Sequence, residues 1–347
     1  MSRHQDQKVS IFERMGIYMV VIALVIIGSF VSPNFFTGSN LLTVLNAVAL
    51  LGIVATGMSF ITYSGNMADL SLPSVMAFSG IITVSALPLG LPIAIILGII
   101  AGMAIGAMNG FVVGRFNANP ILWTLAVTFF MEGFMRYVCG AQVYPDTTPG
   151  SSGEVFIAIF RIDDKGLLLN YICLFVNKIF GTSYVISFEI PLVVIVMFAM
   201  FMISHFIMTR TRFGVESKLV GSSREAAAGS GINVKRVVLM DFLFAALAAS
   251  VGGIFLASMN KLGVFYLGKG YDFKAVTAVV IGGMFLSGGH GSMINVLGGV
   301  LVIGLLANIM TFLGINTFQQ NIVTGSIFIL VVGIQQYSLR KQGKDHG

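Results

Sequence analysis

Charged residues are scarce in this sequence. Asp, Glu, Lys and Arg together make up 10% of its 347 residues, whereas they make up about 25% of a typical soluble domain. Hydrophobic residues make up 56%, and the mean hydropathy is +0.93. This composition excludes an ordinary soluble domain and indicates that the chain is a membrane protein.

Cysteine and histidine are also rare. The two cysteines, Cys139 and Cys173, are too few for a disulfide framework and wrongly spaced for a zinc site. A single disulfide bond between the two remains an alternative. The four histidines do not show metal-ligand spacing, and no serine-nucleophile or zinc-protease motif occurs. We therefore predict no catalytic residue, no metal site and no cofactor bound by this chain itself.

Long apolar runs follow one another along the chain. About 20 apolar residues can cross a bilayer as a helix, and hydrocarbon offers no partner to an unpaired backbone group. The sequence therefore predicts an all-α polytopic membrane protein, with residues 1–347 in a single transmembrane domain. Its ten predicted helices cover residues 15–32, 42–62, 70–87, 91–114, 119–139, 186–208, 237–259, 272–288, 292–313 and 316–336.

The basic residues are divided unevenly between the predicted connections. With the N-terminus in the cytoplasm, thirteen of the 20 Lys and Arg fall in cytoplasmic segments, six fall in outer segments, and Arg136 lies near the outer end of the fifth helix. Because cytoplasmic loops are enriched in Lys and Arg, we expect both termini and the segment 209–236 in the cytoplasm. The cations form no stripe with interleaved aromatic residues, so no nucleic-acid partner is predicted.

The longest predicted connection is the external segment 140–185. It is expected on the same side of the membrane as residues 260–274. Within it, residues 166–181 are apolar but too short to span a bilayer, and polar residues interrupt them. We predict an interfacial helix there.

Glycine recurs every four residues in the fourth predicted helix. This spacing places small residues on one helix face, where they allow neighbouring helices in a membrane to approach closely. We predict that this face packs inside the bundle. The repeat consists of Gly98, Gly102, Gly106, Gly110 and Gly114.

Four ionisable residues fall within or beside the apolar runs, where burial of a charge is costly. Asp69 can cap the following helix. Glu132 and Arg136 are spaced to pair on one helix face, and Asp241 is expected at the membrane interface. These residues form no carboxylate ladder of the kind that relays protons.

Neutral polar residues are more numerous in the apolar runs. Such side chains can hold helices together by hydrogen bonds, at about 0.6 to 2 kcal/mol each. They also suit the path of an uncharged, hydroxyl-rich solute. The predicted path residues are Asn46, Asn66, Asp69, Asn119 and Asn308.

The stretch "GSSREAAAGSGINVKR", residues 221–236, is the longest polar stretch in the second half of the chain. We expect residues 223–229 to form one or two helical turns, because Ser223 can cap the start and alanine favours helix. Gly229 or Gly231 can end this helix. A short helix with small side chains can dock into a partner and transmit a movement. The expected docking residues are Ser223, Arg224, Glu225, Ala226, Ala227, Ala228, Gly229 and Gly231.

Four stretches together resemble one family of membrane proteins. They are "YSGNMADLSLPSVMAFSG" (63–80), "TRTRFGVESKLVGSS" (209–223), "REAAAGSGINVKRV" (224–237) and "AVVIGGMFLSGGHGSMINVLGG" (278–299). Their order and spacing are similar to those of bacterial ABC importer permeases of the ribose/galactose/autoinducer-2, or simple-sugar, type. The resemblance extends over nearly the whole chain.

The resemblance implies a type II ABC importer-like bundle that carries a simple sugar or related polyol across the bacterial inner membrane. It implies a second permease subunit, identical or different, and a periplasmic sugar-binding protein. It also implies cytoplasmic ATPase subunits that bind ATP and magnesium and grip a coupling helix in the loop 209–236. The alternatives are an ion-coupled secondary transporter of a small polar solute and a membrane scaffold or sensor without transport activity.

Overall fold

The computed structural model describes residues 3–140, 142–160 and 191–344. Within these ranges, the regular structure consists of helices and one pair of two-residue strands. The prediction of an all-α polytopic membrane protein is confirmed. The predicted interfacial helix 166–181 and Cys173 lie outside the described residues, so that helix and the pairing of Cys139 with Cys173 stay predictions.

The described ranges contain thirteen α-helices, which we number in chain order. The strands are β1 (Gln142–Val143) and β2 (Gly263–Val264), and a 3₁₀ turn, Leu87–Leu89, extends the third helix. The helices are α1 (Arg3–Val31), α2 (Gly38–Tyr63), α3 (Leu72–Ala86), α4 (Leu91–Phe116), α5 (Pro120–Cys139), α6 (Ser152–Phe160), α7 (Leu192–Arg210), α8 (Arg212–Ser222), α9 (Arg224–Gly229), α10 (Val234–Asn260), α11 (Tyr271–Ile281), α12 (Met293–Phe312) and α13 (Thr317–Lys344).

Eight helices in the described ranges are long and apolar enough to cross a membrane: α2, α3 with its 3₁₀ turn, α4, α5, α7, α10, α12 and α13. The apolar part of α1, Gly16–Val31, is shorter. Each of the ten predicted helices corresponds to an observed helix, and most of the observed bounds lie within a few residues of those predicted.

The predicted helix 272–288 is too long at its C-terminal end. Helix α11 stops at Ile281, and Gly283 takes a left-handed conformation with φ +81°. The amide of Met284 then donates to the carbonyl of Val279, which closes the helix end. Residues 282–292 therefore turn back toward α12 and do not continue across the membrane as a helix.

Helices α2 and α10 occupy the centre of the bundle. Every residue of α2 from Val48 to Tyr63 is buried, so this part of the helix has no lipid-facing stripe. Helix α13 has the opposite character, because none of its membrane-length apolar window is buried within the chain. It packs at the periphery against α11 and α12.

The bundle has two chemically different ends, which we call the α9 end and the strand end. At the α9 end, the Tyr18 hydroxyl of α1 donates to the carbonyl of Ile294 (2.6 Å), and Gln335 of α13 donates to that of Met284 (3.3 Å). The beginning of α1 and the later part of α13 thus lie at the same end as α9. At the strand end, β1 pairs antiparallel with β2, which joins the segments before α6 and after α10.

The glycine repeat of α4 lies against two neighbouring helices. A methyl group added at Gly98 would meet Thr83 of α3. One added at Gly106 would meet Ala246 and lie 2.8 Å from the carbonyl oxygen of Phe242, both in α10. Gly102, Gly110 and Gly114 also face α10, so any side chain at these positions would push the two helices apart.

We expect Gly106→Ala to destabilise the bundle by about 1–3 kcal/mol, because the added methyl group overpacks the contact between α4 and α10. Thermal unfolding of the purified protein in detergent would show this as a lower Tm. Gly133→Ala in α5 is the matched control, since no atom lies within 4 Å of the added carbon. Equal Tm values for the two variants would contradict the close-packing role of the repeat.

Candidate functional site

The short helix predicted in the polar segment is present as α9. Ser223 is its N-cap, and the Ser223 hydroxyl accepts a hydrogen bond from the amide of Ala226. At the other end, Gly231 has φ +82°, and the amide of Ile232 donates to the carbonyl of Ala227 (3.1 Å). This is the glycine-ended arrangement in which a left-handed residue satisfies the last carbonyl groups of a helix. Gly229 is therefore the last helical residue of α9, and Gly231 supplies the left-handed conformation that terminates it.

Helix α9 has an inner and an outer face. Arg224 is half-buried and Ala227 is 3% exposed, so these residues, three positions apart, face their own bundle. Glu225, Ala226 and Ala228 are exposed. Of the three alanines expected to meet a partner, Ala227 is thus covered by its own bundle, because a helix that rests on the bundle must bury one face.

The segment before α9 is also helical. The sequence predicts one short helix in the loop 209–236, whereas the structure contains a further helix, α8, before it. Thr211 caps α8 by accepting a hydrogen bond from the amide of Gly214 (3.3 Å). The expected loop 209–236 is thus two consecutive helices joined at Ser223.

The junction between α8 and α9 lies on the end of α2 without intervening side chains. The amide of Gly289 donates to the carbonyl of Tyr63 (2.8 Å). A Cβ atom at Gly221 would collide with that same carbonyl and would approach the Gly289 nitrogen to 2.6 Å. Three chain segments therefore meet through their backbones at this point.

Arg224 adds a side-chain connection at the same end. Its Nη1 donates to Oδ1 of Asn117 (2.6 Å), and its Nη2 donates to Oδ1 of Asn66. Asn66 lies in the turn between α2 and α3, and Asn117 ends α4 in a left-handed conformation. Burial lowers the pKa of Arg224 from its ordinary value. Sequence reasoning did not anticipate that one guanidinium group reaches both turns.

Asp241 is fully buried within the chain, and its expected position at the membrane interface stays a prediction. The Ser217 hydroxyl of α8 donates to its carboxylate (3.2 Å), and the side chain of Ser64 interacts with the same group. Asn66 in turn donates to Ser64 (2.8 Å). These contacts tie α8, α10 and the end of α2 together through one carboxyl group.

Asp69 does not cap α3 directly, since Ser71 occupies the cap position. Instead, one Asp69 oxygen accepts hydrogen bonds from the Ser71 amide (2.8 Å) and hydroxyl (2.6 Å). Asn109 of α4 donates to the Ser71 hydroxyl (2.8 Å), and the indole of Trp123 donates to Asn109 (3.0 Å). A buried polar network therefore joins the α2–α3 turn, α4 and α5.

Burial raises the pKa of Asp69 from 3.8 to about 6, while hydrogen bonds from Ser71 and Asn109 lower it. The carboxyl group is 1% exposed. Its charged form is therefore disfavoured in the folded chain.

Three of the predicted path residues lie at the α9 end. Asn66 and Asp69 belong to the contacts just described. Asn119 is exposed and caps α5 by accepting a hydrogen bond from the amide of Leu122 (3.2 Å). In this conformation, all three side chains hold turns and helix ends in place.

The other two predicted path residues lie away from that end. Asn308 of α12 exchanges two hydrogen bonds with Asn40, at the beginning of α2 (3.2 and 2.8 Å). Asn46 is buried in α2, and its Oδ1 has no hydrogen-bond partner among the described residues. The five residues are thus spread over both ends of the bundle.

The expected ion pair between Glu132 and Arg136 is wrong. The Arg136 guanidinium lies over the ring of Phe265, with 4.0 Å between its Cζ atom and the ring centroid. This cation–π contact connects the C-terminal end of α5 to the segment after β2. The Arg136 guanidinium thus contacts the face of an aromatic ring in place of the carboxylate one helical turn away.

Comparison with known proteins gives consistent matches over most of the chain. The family described as branched-chain amino acid transport system / permease component matches residues 40–332. Ribose import permease protein RbsC of Bacillus subtilis is 32% identical over 324 residues, which cover 93% of this chain and 92% of that protein. L-arabinose ABC transporter permease protein AraH of Azospirillum brasilense is 30% identical, with 94% and 88% covered. L-arabinose transport system permease protein AraH of Escherichia coli is 29% identical, with 94% and 92% covered. No solved structure is significantly similar.

The fold and these matches define a multi-pass membrane permease component, which is a transporter subunit and not an enzyme. The chain belongs to the branched-chain amino acid transport system / permease component family, because that family matches most of its length. The family description mentions amino acids, whereas the relatives named above are ribose and arabinose permeases. Membership of the family alone therefore does not identify the solute.

We expect Asp69→Asn to remove a pH dependence of folding stability. The pKa of Asp69 in the folded chain, about 6, lies above the ordinary value of 3.8. The neutral carboxyl therefore makes its full contribution to the free energy of unfolding below about pH 4, and this contribution is lost as the pH rises through about 6. The wild type should lose up to about 3 kcal/mol relative to the variant over this range.

Thermal unfolding in detergent at a series of pH values would measure this difference. The asparagine keeps an oxygen that can accept both hydrogen bonds from Ser71, so the geometry of the turn is preserved. A difference in Tm between the two proteins that does not change with pH would contradict the prediction.

Proposed function

We propose that this chain is the permease subunit of an ATP-binding-cassette importer for a simple sugar or related polyol in the bacterial inner membrane. The observation that carries the proposal is the similarity to ribose and arabinose permeases over at least 88% of each chain. The scarcity of ionisable groups in the apolar helices agrees with an uncharged solute.

In the proposed transporter, α9 is the coupling helix that a cytoplasmic ATPase subunit grips. Its outer face supports this role, since Glu225, Ala226 and Ala228 are exposed and two of them are small enough for close docking. Gly229 is also open, with no atom within 4 Å of an added Cβ. ATP and magnesium would bind to the partner ATPase.

The α9 end would face the cytoplasm and the strand end the periplasm. The bias of Lys and Arg toward the predicted cytoplasmic segments supports this orientation. In this arrangement, both termini are cytoplasmic. The paired segments around β1 and β2 would receive a periplasmic sugar-binding protein.

A second permease subunit, identical or different, would complete the translocation path. Asn46 is the path residue that this structure supports best, because a buried amide oxygen without a partner can accept a hydrogen bond from a solute hydroxyl. Alternating access would follow when closure of the ATPases moves α9 and the two bundles shift against each other.

We expect proteoliposomes that contain the complete complex to accumulate a pentose or hexose only when ATP is present. Radiolabelled ribose, arabinose, galactose and glucose form the test panel, each with its periplasmic binding protein. Accumulation should persist with an uncoupler and stop when the ATPase is omitted. The reverse pattern would indicate an ion-coupled secondary transporter.

We also expect the two faces of α9 to differ in cross-linking. In a background with Cys139→Ser and Cys173→Ser, a bifunctional maleimide should join Ala228→Cys to the partner ATPase, because this position is exposed. Ala227→Cys is the matched control and should react poorly, since Ala227 is 3% exposed. Equal yields at both positions, or no ATPase captured at Ala228→Cys, would contradict the proposed docking face.

A further inference from the structure

Arg224 connects α9 to two turns that are 158 and 107 residues away in sequence. Helix α9 otherwise packs mainly against α8 and α10, its neighbours in the chain. We propose that Arg224 is a latch: a positioning residue that passes movement of α9 to the α2–α3 and α4–α5 turns. This inference rests on the proposed function, because the movement is that of a coupling helix.

The first branch of the latch leads to the centre of the bundle. Asn66, which accepts from Arg224 Nη2, donates through its own Nδ2 to the Ser64 hydroxyl (2.8 Å). Its backbone amide bonds to the carbonyl of Ile61, in the last turn of α2 (3.0 Å). Because α2 is buried along most of its length, displacement of Asn66 acts on the central helix.

The second branch leads to α5. Asn117 accepts from Arg224 Nη1 and is followed two residues later by Asn119, which caps α5. The first turn of α5 carries Trp123, whose indole is bonded to Asn109 of α4 (3.0 Å). A pull on Asn117 therefore acts at the point where α4 and α5 are held together.

The chemistry of the contact favours arginine over other residues. A planar guanidinium presents its donors as a fork, so one group can bond two acceptors that lie side by side. Both acceptors here are neutral amide oxygens, and in the described part of the chain Arg224 makes no ion pair with a carboxylate. The Arg224 guanidinium is directed into the permease, whereas Glu225 on the same helix is exposed. Arg224 thus acts within its own chain, and Glu225 is available to a partner.

The test uses the complete importer complex with Cys139→Ser, Cys173→Ser and a reporter, Met67→Cys. Met67 lies in the α2–α3 turn and is 45% exposed. The rate of maleimide labelling is measured without nucleotide and after trapping with ATP and vanadate. With Arg224 intact, we expect trapping to change the labelling rate.

Arg224→Ala should suppress this change while the ATPase stays bound and still hydrolyses ATP. The variant loses both hydrogen bonds, and loss of even one charge-assisted hydrogen bond shifts an equilibrium by about tenfold or more, so the nucleotide-dependent change should shrink by at least that factor. Arg224→Lys should retain part of the change, because an ammonium can reach one acceptor but lacks the fork.

Asn117→Gly and Asn117→Asp give an independent test if Arg224→Ala fails to accumulate. Glycine tolerates the left-handed backbone at this position, φ 53°, but removes the acceptor, so it should weaken the change. Aspartate supplies an acceptor of the same shape and should preserve it. If Asn117 had only a structural role, the two variants would show the same nucleotide-dependent change in labelling rate.

The latch is overturned if Arg224→Ala labels like the unmodified protein in both states, or if trapping leaves the reporter unchanged in the presence of Arg224. It is also overturned if Arg224→Ala loses the ATPase, because Arg224 is then a docking residue. These outcomes leave ATP-driven uptake by the wild type intact. Absence of that uptake would instead remove the proposed function, and the latch with it.

Discussion

Hydrocarbon cannot hydrogen bond, and most features of this chain follow from that constraint. It requires the backbone to form helices across the membrane, and it requires buried polar side chains to find partners within the protein. The buried carboxyl groups of Asp69 and Asp241 are both surrounded by hydroxyl donors. Both lie at the α9 end, where a cytoplasmic partner is proposed to act. The glycines of α4 allow this helix to pack closely against α3 and α10 in the rest of the bundle.

The helices could be predicted from the sequence because length and apolarity are local properties. Helix α11 shows the limit of this reasoning, since residues 272–288 are apolar enough for one long helix but the chain turns at Gly283. Glycine is common throughout the sequence, with 41 residues, so its presence alone does not distinguish a turn from a packing position. The distinction depends on neighbours that are distant in sequence.

The site was predictable only in part, because its contacts also depend on residues that are distant in sequence. The cap at Ser223 and the small residues of α9 are signals within one segment, and they indicated the helix. The contacts of Arg224 with Asn66 and Asn117 join three segments, and no spacing in a single sequence encodes them. The failure of the Glu132–Arg136 pair has a related cause, because spacing along α5 could not show that the ring of Phe265 lies against the guanidinium. Contacts between side chains of different elements can be predicted only when the fold is known.

The two faces of α9 separate two requirements of the proposed coupling helix. The outer face must bind and release a partner, which favours small and exposed side chains such as Ala226 and Ala228. The inner face must move as one body with the bundle, which favours buried contacts and rigid donors, supplied by Ala227 and Arg224. Helix α9 has six residues and therefore few contacts that hold it on the bundle. Backbone contact at Gly221 would resist a push toward the bundle, and the Arg224 hydrogen bonds would resist a pull away from it, so the proposed coupling would work in both directions.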